Sequence, residues 1–261
     1  EATVSPSLLT FTSGNWNSAQ TVTVTGVNDS LVDGSQTSTI TLSVVDGSSD
    51  NDFDGVNDQT VTATTTDNDT AGFTVTQSGG STSVAESGTS DTFTVVLDAQ
   101  PTTDVTLSVS SGDTGEATVS PTQLTFTSGN WDSAQTVTVT GVNDSLIDGS
   151  QNTTITLSVV DGSSDNNFDP VNDQTVTATT TDNDTAGFTV TQSGGSTSVA
   201  ESGSTDTFTV VLDAQPASDV VISVSSGDTG EATVSPATLT FTSGNWNSAQ
   251  TVTVTGVDDS L

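Results

Sequence analysis

Apolar and polar residues alternate along most of this chain. Residues 21–25 read Thr-Val-Thr-Val-Thr, and residues 105–109 follow the same two-residue period. Such a period places alternate side chains on the two faces of a β-strand, and threonine and valine suit a pleated surface. No segment shows the helical period, and Gly, Asn, Asp, Ser and Pro cluster between the alternating segments, as turns require. The pattern predicts an all-β protein of short strands.

The pattern also repeats as a whole. Glu-Ala-Thr-Val-Ser-Pro begins at Glu1, Glu116 and Glu231, and residues 1–115 differ from residues 116–230 at 14 of 115 positions. A period of 115 residues is a whole domain, because solenoid repeats run at roughly 20–50 residues. The near-identity of the copies does not show which positions are functionally important, since recent duplication alone would produce it.

We place the repeat boundary between Asp69 and Thr70. Residues 1–69 are then the C-terminal part of one repeat, residues 70–184 a complete repeat, and residues 185–261 the N-terminal part of a third. Because the chain starts within a repeat and without Met, we expect both termini of the native protein to lie beyond it.

Seven or eight short strands are predicted in the complete repeat. Their number and spacing are typical of an antiparallel β-sandwich of immunoglobulin-like architecture. The candidates are Phe73–Gln77, Thr82–Glu86, Thr92–Asp98, Asp104–Ser110, Gln123–Thr127, Gln135–Val142, Thr153–Asp161 and Thr175–Thr181.

The charge of the chain has one sign. It contains 33 Asp and Glu, no Lys, Arg or His, and carries a net charge of −33. This excludes nucleic acid as a partner, because phosphate binding needs Lys or Arg, and it argues against anionic membrane surfaces. No apolar run approaches the roughly 20 residues of a membrane span, so no membrane insertion is expected in this segment. We also expect no enzyme, since His, Lys, Cys, Arg and Tyr are absent.

Four acidic stretches recur in each repeat. In the complete repeat they lie at residues 83–86, 112–116, 143–151 and 181–184. Along an up-and-down path, three of these loops fall at one end of the sandwich, where their carboxylates repel one another unless a cation joins them. Donor sets made only of oxygen suit Ca²⁺, whereas Zn²⁺ and copper favour His or Cys. The alternative is that these residues are ordinary turn formers.

Three segments of the repeat carry a family resemblance. They are Val84–Glu86, the strand and acidic loop Gln135–Asp148, and the ending Thr177–Phe188 with its Asp-Asn-Asp. The repeat resembles the Calx-beta domain, the calcium-binding module of sodium–calcium exchangers, which also occurs repeated in large bacterial surface proteins. The resemblance covers the whole repeat, and it implies a Calx-beta-type sandwich that binds Ca²⁺.

The resemblance also implies the metal ligands. In the complete repeat these are Glu86, Glu116, Asn143, Asp144, the Leu146 carbonyl, Asp148, Asp182 and Asp184; their equivalents are Glu1, Asn28, Asp29, Asp33, Asp67 and Asp69 in the first part, and Glu201, Glu231, Asp258 and Asp259 in the third. The family prefers acids where this chain has Asn143, Asn183 and Gln151. Fewer charges imply weaker affinity or fewer ions.

Each repeat also carries one tryptophan, Trp16, Trp131 or Trp246, in a Gly-Asn-Trp turn. One hypothesis is a platform on which a sugar stacks. The hypothesis that we favour is a side chain covering the edge of the core beside the turn.

Three functions fit these features. The first is a calcium-stiffened structural stalk or fibre segment of a repetitive extracellular, cell-surface protein, with the neighbouring repeats of the chain as partners. The second is a calcium-dependent adhesin whose repeats bind glycans or surfaces. The third is edge-to-edge self-assembly with other copies into a fibre, through Thr-rich strands.

Overall fold

The computed structural model describes residues 1–258. These form short strands and single-turn 3-10 helices, and no helix among them is long and apolar enough to cross a membrane. The strands are β1 (Ala2–Ser5), β2 (Thr23–Gly26), β3 (Gln36–Leu42), β4 (Gln59–Thr65), β5 (Phe73–Gln77), β6 (Thr82–Ala85), β7 (Ser90–Leu97), β8 (Val105–Ser111), β9 (Ala117–Ser120), β10 (Gln123–Phe126), β11 (Gln135–Gly141), β12 (Gln151–Val159), β13 (Gln174–Thr181), β14 (Phe188–Gln192), β15 (Thr205–Leu212), β16 (Val220–Ser223), β17 (Ala232–Ser235), β18 (Thr238–Phe241) and β19 (Gln250–Gly256). The 3-10 helices are Asp46–Ser48, Asn51–Phe53, Ser78–Gly80, Asp161–Ser163 and Ser193–Gly195.

The strands β5 to β13 form two sheets that enclose one core. One sheet has the order β5-β7-β11-β9, and the other has the order β10-β8-β12-β13-β6. Inward-facing residues alternate along the strands, as in β7, where Phe93, Val95 and Leu97 are buried between half-buried or exposed neighbours. The core combines such residues from both sheets. The predicted all-β, immunoglobulin-like sandwich is confirmed.

The path of the chain differs from the prediction in two respects. The up-and-down path is wrong, because successive strands from β5 to β11 cross between the two sheets and only β12 and β13 are sequence neighbours paired in one sheet. Strand β6 also pairs with β13 in parallel, from Ala178 opposite Thr82 to Thr181 opposite Ala85. The cause is that β6 crosses to the second sheet and meets the last strand, a pairing between distant segments that local alternation does not encode.

Strand β9 was not predicted. It has only four residues, and it is enclosed by the acidic loop before it and by Pro121 after it. Its pairing with β11 gives it a place in the sheet, with Ala117 buried against the core. The other strands of the complete repeat differ from the prediction by at most two residues at their ends.

The parts on either side build less of a core. Residues 1–69 form the ribbon β1-β2 and the hairpin β3-β4, and Phe11 is 53% exposed there although its equivalent, Phe126, is 0% exposed. Residues 185–258 form a four-stranded sheet and the pair β16-β18 around a smaller core. The proposed boundaries after Asp69 and Asp184 remain predictions.

The tryptophans follow the same division. Trp131 packs against the core of residues 73–181, and Trp246 packs against the core of the third part. Trp16 is 70% exposed in the first part. The packing of Trp131 and Trp246 supports a structural role for this residue rather than a sugar platform.

Gly141 marks a close contact beside the acidic end of the sandwich. A Cβ added there would collide with the carbonyl oxygen of Ala85, whereas at the equivalent Gly26 the nearest atom is a Thr65 methyl carbon at 3.2 Å. We expect Gly141→Ala to lower the free energy of unfolding by about 1–3 kcal/mol, because backbone must move to make room. Gly26→Ala is the matched control and should cost much less, since a side-chain methyl can shift. Equal costs in urea denaturation would contradict this reading.

Candidate metal centre

Four chain segments meet at one end of the central sandwich. Glu86 follows β6, Glu116 precedes β9, residues 142–150 connect β11 to β12, and Asp182 follows β13. Because β6 and β13 run in parallel, they end side by side, and the Glu86 amide donates to the Thr181 carbonyl at 3.1 Å. The Val142 amide donates to the Glu116 carbonyl at 2.8 Å and ties a third segment to this end.

Three carboxylates form the centre of this end. Glu86, Asp144 and Asp184 each offer an oxygen, and these oxygens lie within 4.8 Å of one another. Glu86 is only 2% exposed, and its Oε2 accepts a hydrogen bond of 3.2 Å from the Asn183 amide. Burial raises the pKa of Glu86, and repulsion by Asp144, Asp182 and Asp184 raises it further, although the Asn183 amide opposes this. These three side chains can hold a metal ion.

Two neighbouring carboxylate oxygens are buried and have no hydrogen-bond partner. They are Oε2 of Glu116 and Oδ2 of Asp184. Burial is the main cause that raises the pKa of Glu116, followed by the negative charges of Asp148 and Asp144. The pKa of Asp184 is raised by burial and then by Asp182 and Asp144. A buried oxygen without a partner is costly, and a bound cation would satisfy both.

Asp182 has a different role from its neighbours. Its Oδ1 accepts from the Asp184 amide at 2.7 Å, and its Oδ2 accepts from the Gly149 amide at 2.9 Å. These backbone hydrogen bonds lower the pKa of Asp182. Asp182 therefore holds the end of β13 against the acidic loop, whatever else its oxygens bind.

Asn143 and Leu146 shape the acidic loop. The Asn143 side chain donates to the Asp144 carbonyl at 2.6 Å and accepts from the Asn183 side chain at 2.8 Å. The Leu146 amide donates to Oδ1 of Asp144 at 2.6 Å. Asn143 therefore stabilises the acidic loop through these hydrogen bonds. Whether Asn143 and the Leu146 carbonyl are metal ligands stays a prediction.

Asn183 was not among the predicted site residues. Its amide contacts Glu86 and its side chain contacts Asn143, so it joins three of the four segments. The sequence signal for Asn183 is its place between Asp182 and Asp184, where the resembled family prefers an acid.

The copies of the site in the flanking parts are less complete. In the first part, Asp67 accepts from the amides of Asp33, Gly34 and Asp69, and the Asp69 and Gly34 hydrogen bonds lead in lowering its pKa. The loop hydrogen bonds are the same as in the complete repeat. The Leu31 amide donates to Oδ1 of Asp29, and the Asn28 side chain donates to the Asp29 carbonyl. Glu1 takes part through its carbonyl, which accepts from Val27 and Thr65. A counterpart of Glu86 is not in this part of the chain.

In the third part, Glu201 and Glu231 line one open cleft, and both are exposed, as is Asp258. Asp259 lies outside the described residues. Within residues 1–258, a close group of three metal-ligating side chains occurs only at Glu86, Asp144 and Asp184. Of the ligands predicted in the complete repeat, the structure thus brings Glu86, Asp144 and Asp184 within ligand distance of one another.

The comparisons with known proteins concern the fold. No family model matches the sequence, and no curated protein matches it. Among solved structures, domains 4 and 5 of the S-layer protein SbsC are 26% identical, with 47% of this chain and 52% of that chain covered and a TM-score of 0.29.

Two Calx structures are also similar. The apo form of the Calx CBD1 domain is 16% identical, with 43% of this chain and 98% of that chain covered and a TM-score of 0.32. CBD12 from CALX1.2 is 15% identical, with 72% and 76% covered and a TM-score of 0.31. On its own sheets and core, this chain is an all-β protein built around an immunoglobulin-like sandwich.

Proposed function

We propose that the central repeat binds Ca²⁺ at its acidic end, and that the repeats form a calcium-stiffened stalk or fibre segment of an extracellular surface protein. The observation that carries this proposal is the pair of buried, unpartnered oxygens of Glu116 and Asp184 beside the Glu86–Asp144–Asp184 group. The chain has no Lys, Arg or His to neutralise them. The counter-charge must therefore come from solution.

The donor set favours calcium over other metals. It consists of carboxylates and carbonyls from four segments, without nitrogen or sulfur side-chain ligands. Ca²⁺ accepts six to eight oxygens in irregular geometry, whereas Mg²⁺ demands a near-ideal octahedron and gives up its water reluctantly. Glu86, Asp144 and Asp184 would hold the ion, with Glu116 and Asp148 beside them. The ion would supply positive charge that neutralises and crosslinks the segments.

Calcium at this position would limit bending between neighbouring repeats and keep the array extended. The acidic end includes Asp182–Asp184, and Phe188 already starts the first strand of the next repeat. Strands of about eight residues span roughly 26 Å, so each repeat with its loops would extend an array by about 40 Å. Many repeats would form a long acidic rod, and weak sites would suit an exterior where calcium is abundant.

The packing of the half-buried Trp131 against the core gives this residue a structural role, and this weakens the case for a glycan-binding adhesin. We therefore propose neighbouring repeats of the same chain as the partners. Other copies of the chain, glycans and surfaces are alternative partners that binding experiments would detect.

Calorimetric titration of the metal-free chain tests the proposal directly. We expect saturable Ca²⁺ binding that Asp144→Asn weakens at least tenfold, because a charged ligand at the centre of the site is lost. Asp29→Asn, in the first part that lacks a counterpart of Glu86, is the matched control and should leave the strongest binding unchanged. Mg²⁺ at the same concentration should compete poorly. Equal affinity in wild type and Asp144→Asn would overturn the proposal.

A further inference from the structure

The acidic loops at residues 28–34 and 143–151 also contact the repeat that follows each of them. The Gln100 amide donates to the Ser30 carbonyl at 2.7 Å, and the Val32 amide donates to the Gln100 carbonyl at 3.0 Å. At the next junction, the Gln215 amide donates to the Ser145 carbonyl at 2.7 Å. At each junction these bonds form one isolated parallel β-bridge, between Leu31 and Gln100 at the first and between Leu146 and Gln215 at the second. The same backbone contact thus recurs with a period of one repeat.

In the central repeat, the loops that contact the preceding repeat are held around a buried carboxylate. Asp165 is 3% exposed, and it accepts from the amides of Thr102, Thr103 and Asn167 at 2.6–3.0 Å and from the Thr102 hydroxyl at 2.6 Å. Burial opposes ionisation of Asp165, but these hydrogen bonds outweigh it and lower its pKa. The charge of Asp165 therefore holds two loops of the repeat in one fixed arrangement.

The loops held by Asp165 place the side-chain amide of Asn167 against the preceding repeat. The Asn167 side chain donates to the Val32 carbonyl at 2.7 Å, and Val32 packs against the core of the central repeat. Val32 is thus held through its amide by Gln100, through its carbonyl by Asn167 and through its side chain by apolar contact. None of these contacts uses the carboxylates of the metal centre.

We propose that Gln100 and Asn167, held in place by Asp165, form a docking surface that recognises the acidic loop of the preceding repeat. The proposal also assigns the position of Asn167 as the residue that sets how firmly a junction is held. The partner is the Leu-Val or Leu-Ile segment of the neighbouring loop, at residues 31–32 or 146–147.

The chain itself contains both versions of this position. Asp52 is the equivalent of Asn167 in the first repeat, and it makes the same local turn, with its amide donating to Asp50 at 3.0 Å as the Asn167 amide donates to Asp165 at 3.0 Å. An ionised Asp cannot donate a hydrogen bond and would place negative charge against a carbonyl oxygen. A repeat with Asn therefore docks firmly, and a repeat with Asp docks loosely, at the same local fold.

The link from this surface to calcium rests on the proposed function. The docked loop carries the predicted ligands Asp29 and Asp33, which flank the docked residues. Ordering the loop by docking would then favour ion binding, and ion binding would favour docking by the same factor. The docking contacts themselves do not depend on calcium.

Distances between spin labels test the docking surface. The chain has no cysteine, so label pairs can be introduced at exposed threonines, Thr62→Cys with Thr136→Cys across the first junction and Thr136→Cys with Thr251→Cys across the second. With Ca²⁺ present, the pair across the first junction should show a narrow distance distribution, and the pair across the second junction, which has no Asn167 contact, is the internal reference. Asn167→Asp should broaden the distance distribution across the first junction and leave the second junction unchanged.

Asp52→Asn is the matched control, because it makes the reverse change at the equivalent position, which contributes no side-chain hydrogen bond to either junction within residues 1–258, and it should leave both distributions unchanged. A narrow distribution across the first junction in Asn167→Asp, or a broad one there in the wild type, would overturn the docking surface. If the central repeat fails to bind Ca²⁺ while Asn167→Asp still broadens the first junction, the proposed function fails and the docking surface stands.

Discussion

Replacing Phe126 with alanine should strongly destabilise the central repeat, whereas replacing Phe11 should have little effect. The two residues occupy the same position of the repeat, but Phe126 is 0% exposed and Phe11 is 53% exposed. Removing a fully buried phenylalanine costs about 3–5 kcal/mol, through lost transfer energy and the cavity left behind. Small domains are stable by only about 5–15 kcal/mol, so this loss consumes a large share of the total. An exposed side chain contributes within about 0.5 kcal/mol.

Urea denaturation of the two variants measures this difference. The fluorescence of Trp131 reports on the central repeat when Trp16 and Trp246 are both replaced by phenylalanine, because Trp131 packs against that core. Phe126→Ala should shift the transition strongly to lower urea, and Phe11→Ala should leave it in place. Similar shifts for both variants would mean that Phe11 contributes to the stability of the central repeat, against its exposure in this structure.

The strands were largely predictable because burial on one face imposes a two-residue period. In β11, Val137 and Val139 are buried between exposed or half-buried threonines, and this alternation is visible in the sequence. Strand β9 has too few residues to show a period, and it is stabilised by pairing with β11 rather than by its own pattern. The parallel pairing of β6 with β13 joins residues almost 100 positions apart, and no local signal encodes such a contact.

The candidate site was predictable in composition but not in geometry. Acidic and amide residues at loop positions indicated which segments would meet, because oxygen donors without balancing cations need a common partner. The near-complete burial of Glu86 depends on β6 lying beside the end of β13, which the sequence pattern did not show. The bracing roles of Asp182 and Asn183 depend on hydrogen bonds to backbone amides, and these follow only from the folded loop.

The contact between repeats was the least predictable feature. A spacer of a few residues indicated that neighbouring domains lie close, but the bridge to Gln100 uses backbone groups alone, and any residue type can supply those. Only Asn167 contributes a side-chain hydrogen bond to Val32, and its exposed amide resembles that of any turn residue. The contact of Asn167 with Val32 depends on the folded loops around Asp165, which the sequence pattern does not show.

Glu86→Gln should have opposite effects on stability with and without calcium. In the wild type without metal, the raised pKa of Glu86 means that its stabilising contribution is fully present below the ordinary pKa of 4.5 and is lost as the pH rises through the raised value. Glutamine does not ionise, so it avoids this loss. In chelator at neutral pH, Glu86→Gln should therefore melt above the wild type, and the difference should vanish below about pH 4.

With calcium the order should reverse. A ligand at 100 times its dissociation constant stabilises the folded state by about 2.7 kcal/mol, which corresponds to a rise of about 10 °C in a domain of this size. Glu86→Gln removes a charged group from the centre of the site and should lose most of this rise. Glu201→Gln is the matched control, because the exposed Glu201 lies in the less complete third copy, and it should follow the wild type in both conditions. If Glu86→Gln gained the full stabilisation from calcium, the Glu86 carboxylate would not bind the ion; if it melted below the wild type in chelator, its burial would not oppose its charge.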